Sequence, residues 1–269
     1  MDEDDKQKAA LGERLTLLLR TAQKNFVHIR SFMRVMDIGL HAAGPEFYPA
    51  MESSLKGMFS ESQPEPPSDL LEAAAKKAVE TRLSDAASAA EAAILLFGHS
   101  VLDSATTDLC QIIAGAAPDL WEDALLDRKV RLRDVKECDS YMSTLHSILK
   151  SHLSEVERKS LIERIRLITQ KCYPGLQPLP VFQSMWSGDF KLDLKRIESI
   201  DQGRHDIIHR AELSGAVHDF EDDLEYCELT LTYLVKIVSL RFALPLGDGG
   251  YGPGVEKLTV TSVHKGGMA

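Results

Sequence analysis

The residues whose types and spacing could do chemistry lie in the run Arg204-His205-Asp206-Ile207-Ile208-His209. An arginine stays charged and presents a planar fork that matches phosphate oxygens. A histidine, with an ordinary pKa of about 6.5, moves protons near neutral pH. Together the two suit phosphate chemistry. On a regular helix, residues five apart lie about 140° apart around the axis, so Arg204 and His209 would not share a face. They converge if Arg204 occupies a turn after Gly203 and His209 lies in the first turn of the following helix. A surface turn with a capping histidine uses the same spacing and involves no chemistry, so the motif needs its context.

That context is the longer run Lys195-Arg-Ile-Glu-Ser-Ile-Asp-Gln-Gly-Arg-His-Asp-Ile-Ile-His-Arg210. It resembles the signature of the HEPN superfamily, in which an arginine, four to six residues and a histidine open a late helix of a small all-helical domain. The apolar pair Ile207-Ile208 before His209 fits as well. The resemblance spans residues 68–243 and is most specific over 195–213. It implies a metal-independent endoribonuclease, of the kind used as toxins or as effectors of antiviral defence. Arg204 would stabilise the charged phosphorane and His209 would transfer the proton, with the ribose 2′-hydroxyl as nucleophile. His205 would help to orient the phosphate and Asp206 would orient a histidine, although local capping explains Asp206 equally well. The resemblance further implies RNA as substrate, a homodimer with two motifs across its interface, and an antitoxin or defence-system protein as a possible partner. Some toxin members carry a tyrosine two residues after the histidine, where a partner nucleotidyltransferase modifies them; Ala211 stands there, so that control is not expected. Other members are non-catalytic helical domains that bind nucleotide, RNA or protein, and this is the alternative reading.

The elements that must position the motif read as helices. Among 269 residues, 44% are apolar and only 6% aromatic, and alanine is plentiful, which favours helix over sheet. A net charge of -10 argues against a general nucleic-acid coat but leaves room for a local basic groove. The expected fold is all-α: a multi-helix bundle of HEPN type with an N-terminal helical extension and a short irregular or β C-terminal tail. Its parts are an N-terminal helical region (1–61), a proline-rich linker (62–67), the HEPN-like domain (68–243) and a glycine-rich tail (244–269).

Along the chain, three-four periodicity predicts a helix over 9–42, stopped by Gly44-Pro45. A second helix, capped by Ser68 or Asp69, runs to about Ala114 with Val79, Leu83, Ala86, Ala90, Ile94, Phe97 and Val101 as its stripe, bent near Gly98. Helices follow over 118–136, 139–152 and 154–171. The first of these carries Arg128, Lys129, Arg131, Arg133 and Lys136, and the last carries Arg158, Lys159, Arg164, Arg166 and Lys171. Both clusters could line an RNA groove or form ordinary exposed faces. Val181 to Phe190 reads as irregular, with Trp186 and Phe190 as core anchors. A short helix over 191–200 leads into the motif. The strictest alternation, Val217, Phe220, Leu224, Cys227, Leu231, Leu234 and Val238, predicts a helix over 216–243 with a narrow apolar stripe. Its acidic first turns suit the positive end of the helix dipole.

Several chemistries are not expected. The four cysteines, Cys110, Cys138, Cys172 and Cys227, are scattered without a CxxC, and the expectation is that no histidine pair has zinc-ligand spacing. Buried free thiols in a reducing cytoplasm, no metal and no cofactor are the expectation. The glycine-rich run Gly247–Gly254 lacks the Lys-Ser/Thr of a phosphate loop. The acidic N-terminus is unlike a signal peptide, and no apolar run reaches the ~20 residues of a membrane span. The protein is therefore expected in the cytoplasm.

Overall fold

The computed structural model describes residues 3–58, 67–122, 140–174, 181–184, 188–210 and 219–247. Over these the architecture is all-α apart from one short hairpin, as the composition predicts. The helices are α1 (Glu3–Lys56), α2 (Ser68–Ala116), α3 (Tyr141–Val156), α4 (Leu161–Cys172), α5 (Leu194–Arg210) and α6 (Phe220–Phe242), with a 3-10 turn at Pro118–Trp121.

α6 is the centre. Every residue from Thr230 to Val238 is buried, so this part of the helix is enclosed all round and not merely along the narrow stripe its periodicity suggests. The enclosed set includes Thr230, Thr232 and Lys236, whose ammonium burial holds down to about 8. α2 passes close beside it at Gly98: a Cβ there would lie 2.6 Å from Leu224 Cδ1, so glycine permits the approach. The acidic start of α6 is put to structural use. Asp219 caps the helix by accepting from Asp222 N, and the buried Asp223 faces Arg196 at 3.6 Å.

α1 does not stop at Gly44-Pro45. It continues through Pro45 and Pro49 to Lys56 and, with 54 residues, extends about 80 Å at ~1.5 Å per residue. A proline inside a helix costs roughly 3 kcal/mol. Packing against α2 offsets it: Gly44 is buried, and a Cβ on it would lie 3.3 Å from Leu83 Cδ1. Leu11, Leu15, Leu19, Ala22 and Phe26 of α1 join the same hydrophobic core as α2, α4 and α6. Residues from the expected N-terminal region thus share one core with the expected HEPN-like region. The chain leaving α6 also returns to α1. Ala243 adopts a left-handed conformation (φ 50°), Gly247 N donates to Thr16 Oγ1 at 3.0 Å, and Gly12 leaves room for Pro245.

Other elements differ in detail from the periodicity. α2 begins at Ser68 with Pro67 in the cap position and no side-chain cap hydrogen bond, so neither Ser68 nor Asp69 caps it. Its buried positions include Leu95, His99, Leu102, Thr106 and Leu109, whereas Phe97 is 58% exposed. The stripe shifts because the first half of α2 faces α1 and the second half also faces α6. The helix expected over 118–136 starts as the 3-10 turn, with Trp121 buried; its remainder and its basic cluster lie outside the described residues. α4 opens with a capping box between Ser160 and Glu163. The stretch expected to be irregular before Phe190 contains an antiparallel pair, Phe182–Ser184 with Gly188–Phe190. Phe190 is the core anchor expected, packed on Tyr226 and Tyr233 at ring distances of 5.5 and 5.8 Å. Trp186, Cys138, all but Pro67 of the proline-rich linker, and the tail from Asp248 onward lie outside the described residues.

Candidate functional site

The motif rides on α5, and the helix differs from its expected form. Instead of a short helix over 191–200, a turn at Gly203 and a new start at Arg204, one helix runs from Leu194 through Arg210. Gly203 lies inside it, buried. Ile197, Ile200 and Gly203 face the core, which commits the backbone to a continuous helix and leaves no turn. Arg204 and His209 therefore sit in its last two turns, about 140° apart around the axis. They do not converge within one chain.

Arg204 occupies the flank of α5 nearest α2, half-exposed. Its Nη1 lies 3.7 Å from Asp201 Oδ1. The same carboxylate oxygen accepts a hydrogen bond from His99 Nε2 on α2 at 2.8 Å. His99 is buried, and burial is the main cause that lowers its pKa below the ordinary 6.5; Asp201 opposes that shift and Arg204 adds to it. Asp201 thus ties a buried imidazole to a surface guanidinium. Sequence reading singled out neither His99 nor Asp201. A signal was present, since His99 falls in the three-four series Leu95, His99, Leu102, Thr106, Leu109, where a polar side chain among apolar ones requires a partner.

The opposite face of α5 points to solvent and carries Glu198, Gln202, His205 and His209, all exposed. His205 and His209 are one helical turn apart, with ring centroids 4.4 Å apart and planes inclined by 45°. Asp206 accepts from Gln202 Nε2 at 3.0 Å along the helix and lies between the two histidines in sequence. Contrary to the expectation from sequence, this pair has the i, i+4 spacing that zinc ligands use on a helix. Among the described residues, no group of three or more side chains of metal-ligand type gathers.

The second basic cluster is largely committed to structure. Arg164 is buried, paired with Asp103, and donates to Thr106 Oγ1 at 3.2 Å and to the carbonyls of Glu157 and Lys159 at 2.8 and 2.7 Å. Lys171 donates to the carbonyl of Leu120 and lies 5.1 Å over the Trp121 ring. Arg166 pairs with Glu198 of α5 at 3.0 Å. These contacts position α4 against its neighbours. Cys110, Cys172 and Cys227 are buried free thiols, as expected, and burial pushes each up to about 12, which leaves them without nucleophilic character near neutral pH. No helix among the described residues is long and apolar enough to cross a membrane.

No family model, curated protein or solved structure matches this chain. What stands is an all-α protein whose α5 presents an anchored arginine on one flank and a histidine pair on its solvent face.

Proposed function

We propose that the protein is a metal-independent endoribonuclease of HEPN type, acting through Arg204 and His209. The observation that carries this reading is Arg204. Its guanidinium is held by Asp201, remains half-exposed, and lies within the same two turns as exposed His205 and His209. A guanidinium fixed before the substrate arrives stabilises developing phosphorane charge without reorganisation. His209 takes the proton of the ribose 2′-hydroxyl or delivers one to the leaving oxygen. His205 contributes a second donor toward the phosphate, and Asp206 limits the motion of this turn. Because Arg204 and His209 diverge on one helix, the cleft is composite: Arg204 of one copy works with His209 of another across a homodimer. An antitoxin or defence-system protein acts as its partner.

Purified protein tests this. With EDTA present it should cut single-stranded RNA to 2′,3′-cyclic phosphate ends and leave DNA intact, since DNA lacks the 2′-hydroxyl. His209→Ala should lower the rate by roughly 10²-fold or more, and Arg204→Ala should do comparable harm. Arg204→Lys should recover only part, because a point charge replaces a fork. Light scattering should report a dimer. Folded, dimeric alanine variants that cut at the parent rate would remove both residues from the site.

The divergence of Arg204 and His209 favours one second reading, a non-catalytic helical module that binds nucleotide, RNA or a protein. RNA binding by the parent without cleavage of any substrate would replace the enzyme with this module.

A further inference from the structure

A continuous α5 does something to the histidines that a broken helix would not. Residues four apart on a helix stack on one face. His205 and His209 do so on the solvent side, with ring centroids 4.4 Å apart. Two imidazole nitrogens that share a tetrahedral ion at about 2.0–2.1 Å each stand about 3.3 Å apart. Rings at this separation, inclined by 45°, reach that spacing by small rotations about their side-chain bonds. Both rings are exposed, so an ion reaches them without opening the core. Histidines at i and i+4 on one helix face are a general zinc-binding arrangement, and imidazole suits Zn²⁺, Cu²⁺ and Ni²⁺.

We propose that His205 and His209 form a two-point chelating site for a divalent transition metal, with Zn²⁺, Cu²⁺ or Ni²⁺ held between the imidazoles and water filling the remaining positions. The charge nearby permits it. Asp206 lies beside the pair, while the Arg204 guanidinium is directed to the other flank and partnered by Asp201. Two protein ligands leave the ion open and exchangeable, unlike a structural zinc, which closes its shell with four. The site therefore regulates and does not support the fold. An ion on His209 occupies the lone pair that proton transfer needs, so metal silences the histidine on which cleavage depends. This regulatory part rests on the ribonuclease reading; the chelating site does not.

The experiment separates the two. Calorimetric titration of the full chain with Zn²⁺, and separately with Ni²⁺, in chelator-free buffer should show one ion bound per chain. His205→Ala and His209→Ala should each weaken the affinity by at least about 10-fold, the loss caused even by removing an outer partner of a metal ligand. His41→Ala, an exposed histidine elsewhere on α1, should leave it unchanged. Both rings are exposed, so helicity by circular dichroism should be the same in all variants. Parent protein that binds neither ion overturns the site, as does unchanged affinity in either the His205 or the His209 variant. In the cleavage assay, Zn²⁺ at concentrations that fill the site should inhibit the parent, and EDTA should restore it. If the ion binds through both histidines and the parent never cuts RNA, the chelating site stands and the ribonuclease reading falls. If the ion binds through both histidines and an active parent keeps its full rate, the regulatory role is overturned.

Discussion

α6 and α5 are both amphipathic by sequence, and the fold treats them in opposite ways. α6 is enclosed on every side from Thr230 to Val238, and even Thr230, Thr232 and Lys236 are buried. α5 buries Ile197, Ile200 and Gly203 and leaves His205, Ile208 and His209 open. The buried helix holds the molecule together and leaves few side chains free to meet a ligand. The half-buried helix adds less to the core and carries every polar group of the motif. On α6 the buried Asp223 pairs with Arg196, and on the open face of α5 Glu198 pairs with Arg166 and Gln202 with Asp206, whereas the exposed His205 and His209 lie against each other. The same contrast exists among the basic residues: Arg164 is consumed by Asp103, Thr106 and two carbonyls, but Arg204 keeps part of its fork exposed.

Mutations can break this contrast or sharpen it. The largest effect is expected at the centre of α6. Leu234 is fully buried, so Leu234→Ala should cost about 2–5 kcal/mol, measured by urea unfolding. A loss below ~1 kcal/mol would mean that α6 is not the core. Next comes the contact that sets α2 against α6. Gly98→Ala pushes a methyl group into Leu224, and overpacking of this kind should cost about 1–3 kcal/mol. Leu224→Ala in the same chain should relieve part of that clash, visible as non-additive unfolding energies.

A third test concerns the link between α2 and α5. The folded state depresses the pKa of His99, so folding favours its neutral form. The sign follows directly: the unfolded chain takes up this proton first, as the pH falls through about 6.5, and stability drops over that window until the folded form is protonated too. His99→Gln keeps a donor for Asp201 but removes the titration. The fall in melting temperature between pH 7 and pH 5 should be smaller in His99→Gln than in the parent. Equal slopes would show that His99 does not contribute. The smallest effect is expected on the open face of α5. Ile208 is 47% exposed, and Ile208→Ala should change stability by no more than about 0.5 kcal/mol. A larger loss on dilution of the protein would mark Ile208 as buried against a second copy.

Much of this molecule was legible from its residues, because periodicity is local. The helices α2, α3 and α6, the helical class and the buried thiols Cys110, Cys172 and Cys227 follow from residue spacing and composition, whereas the helix expected over 154–171 starts only at Leu161 because α3 runs on to Val156. Where reading failed, a distant partner had overruled a local preference. Gly44-Pro45 should end a helix, yet α2 supplies the packing that carries α1 past it. Phe97 belongs to an apolar stripe by spacing, yet α6 packs at Gly98 and α5 partners His99, so His99 is buried and Phe97 is left exposed. At the motif, the types of Arg204, His205, Asp206 and His209 suit phosphate and proton chemistry. Their arrangement was not. Gly203 permits a turn, and the burial of Ile197, Ile200 and Gly203 against the rest of the bundle decides for a helix. That decision separates Arg204 from His209, sets His205 against His209, and brings Asp201 to a histidine 102 residues away in the chain. Sequence by itself determined which side chains are available and which segments coil, since both depend on neighbours a few residues off. Tertiary structure decided which of those side chains meet, because burial and the pairing of buried polar groups are settled between helices.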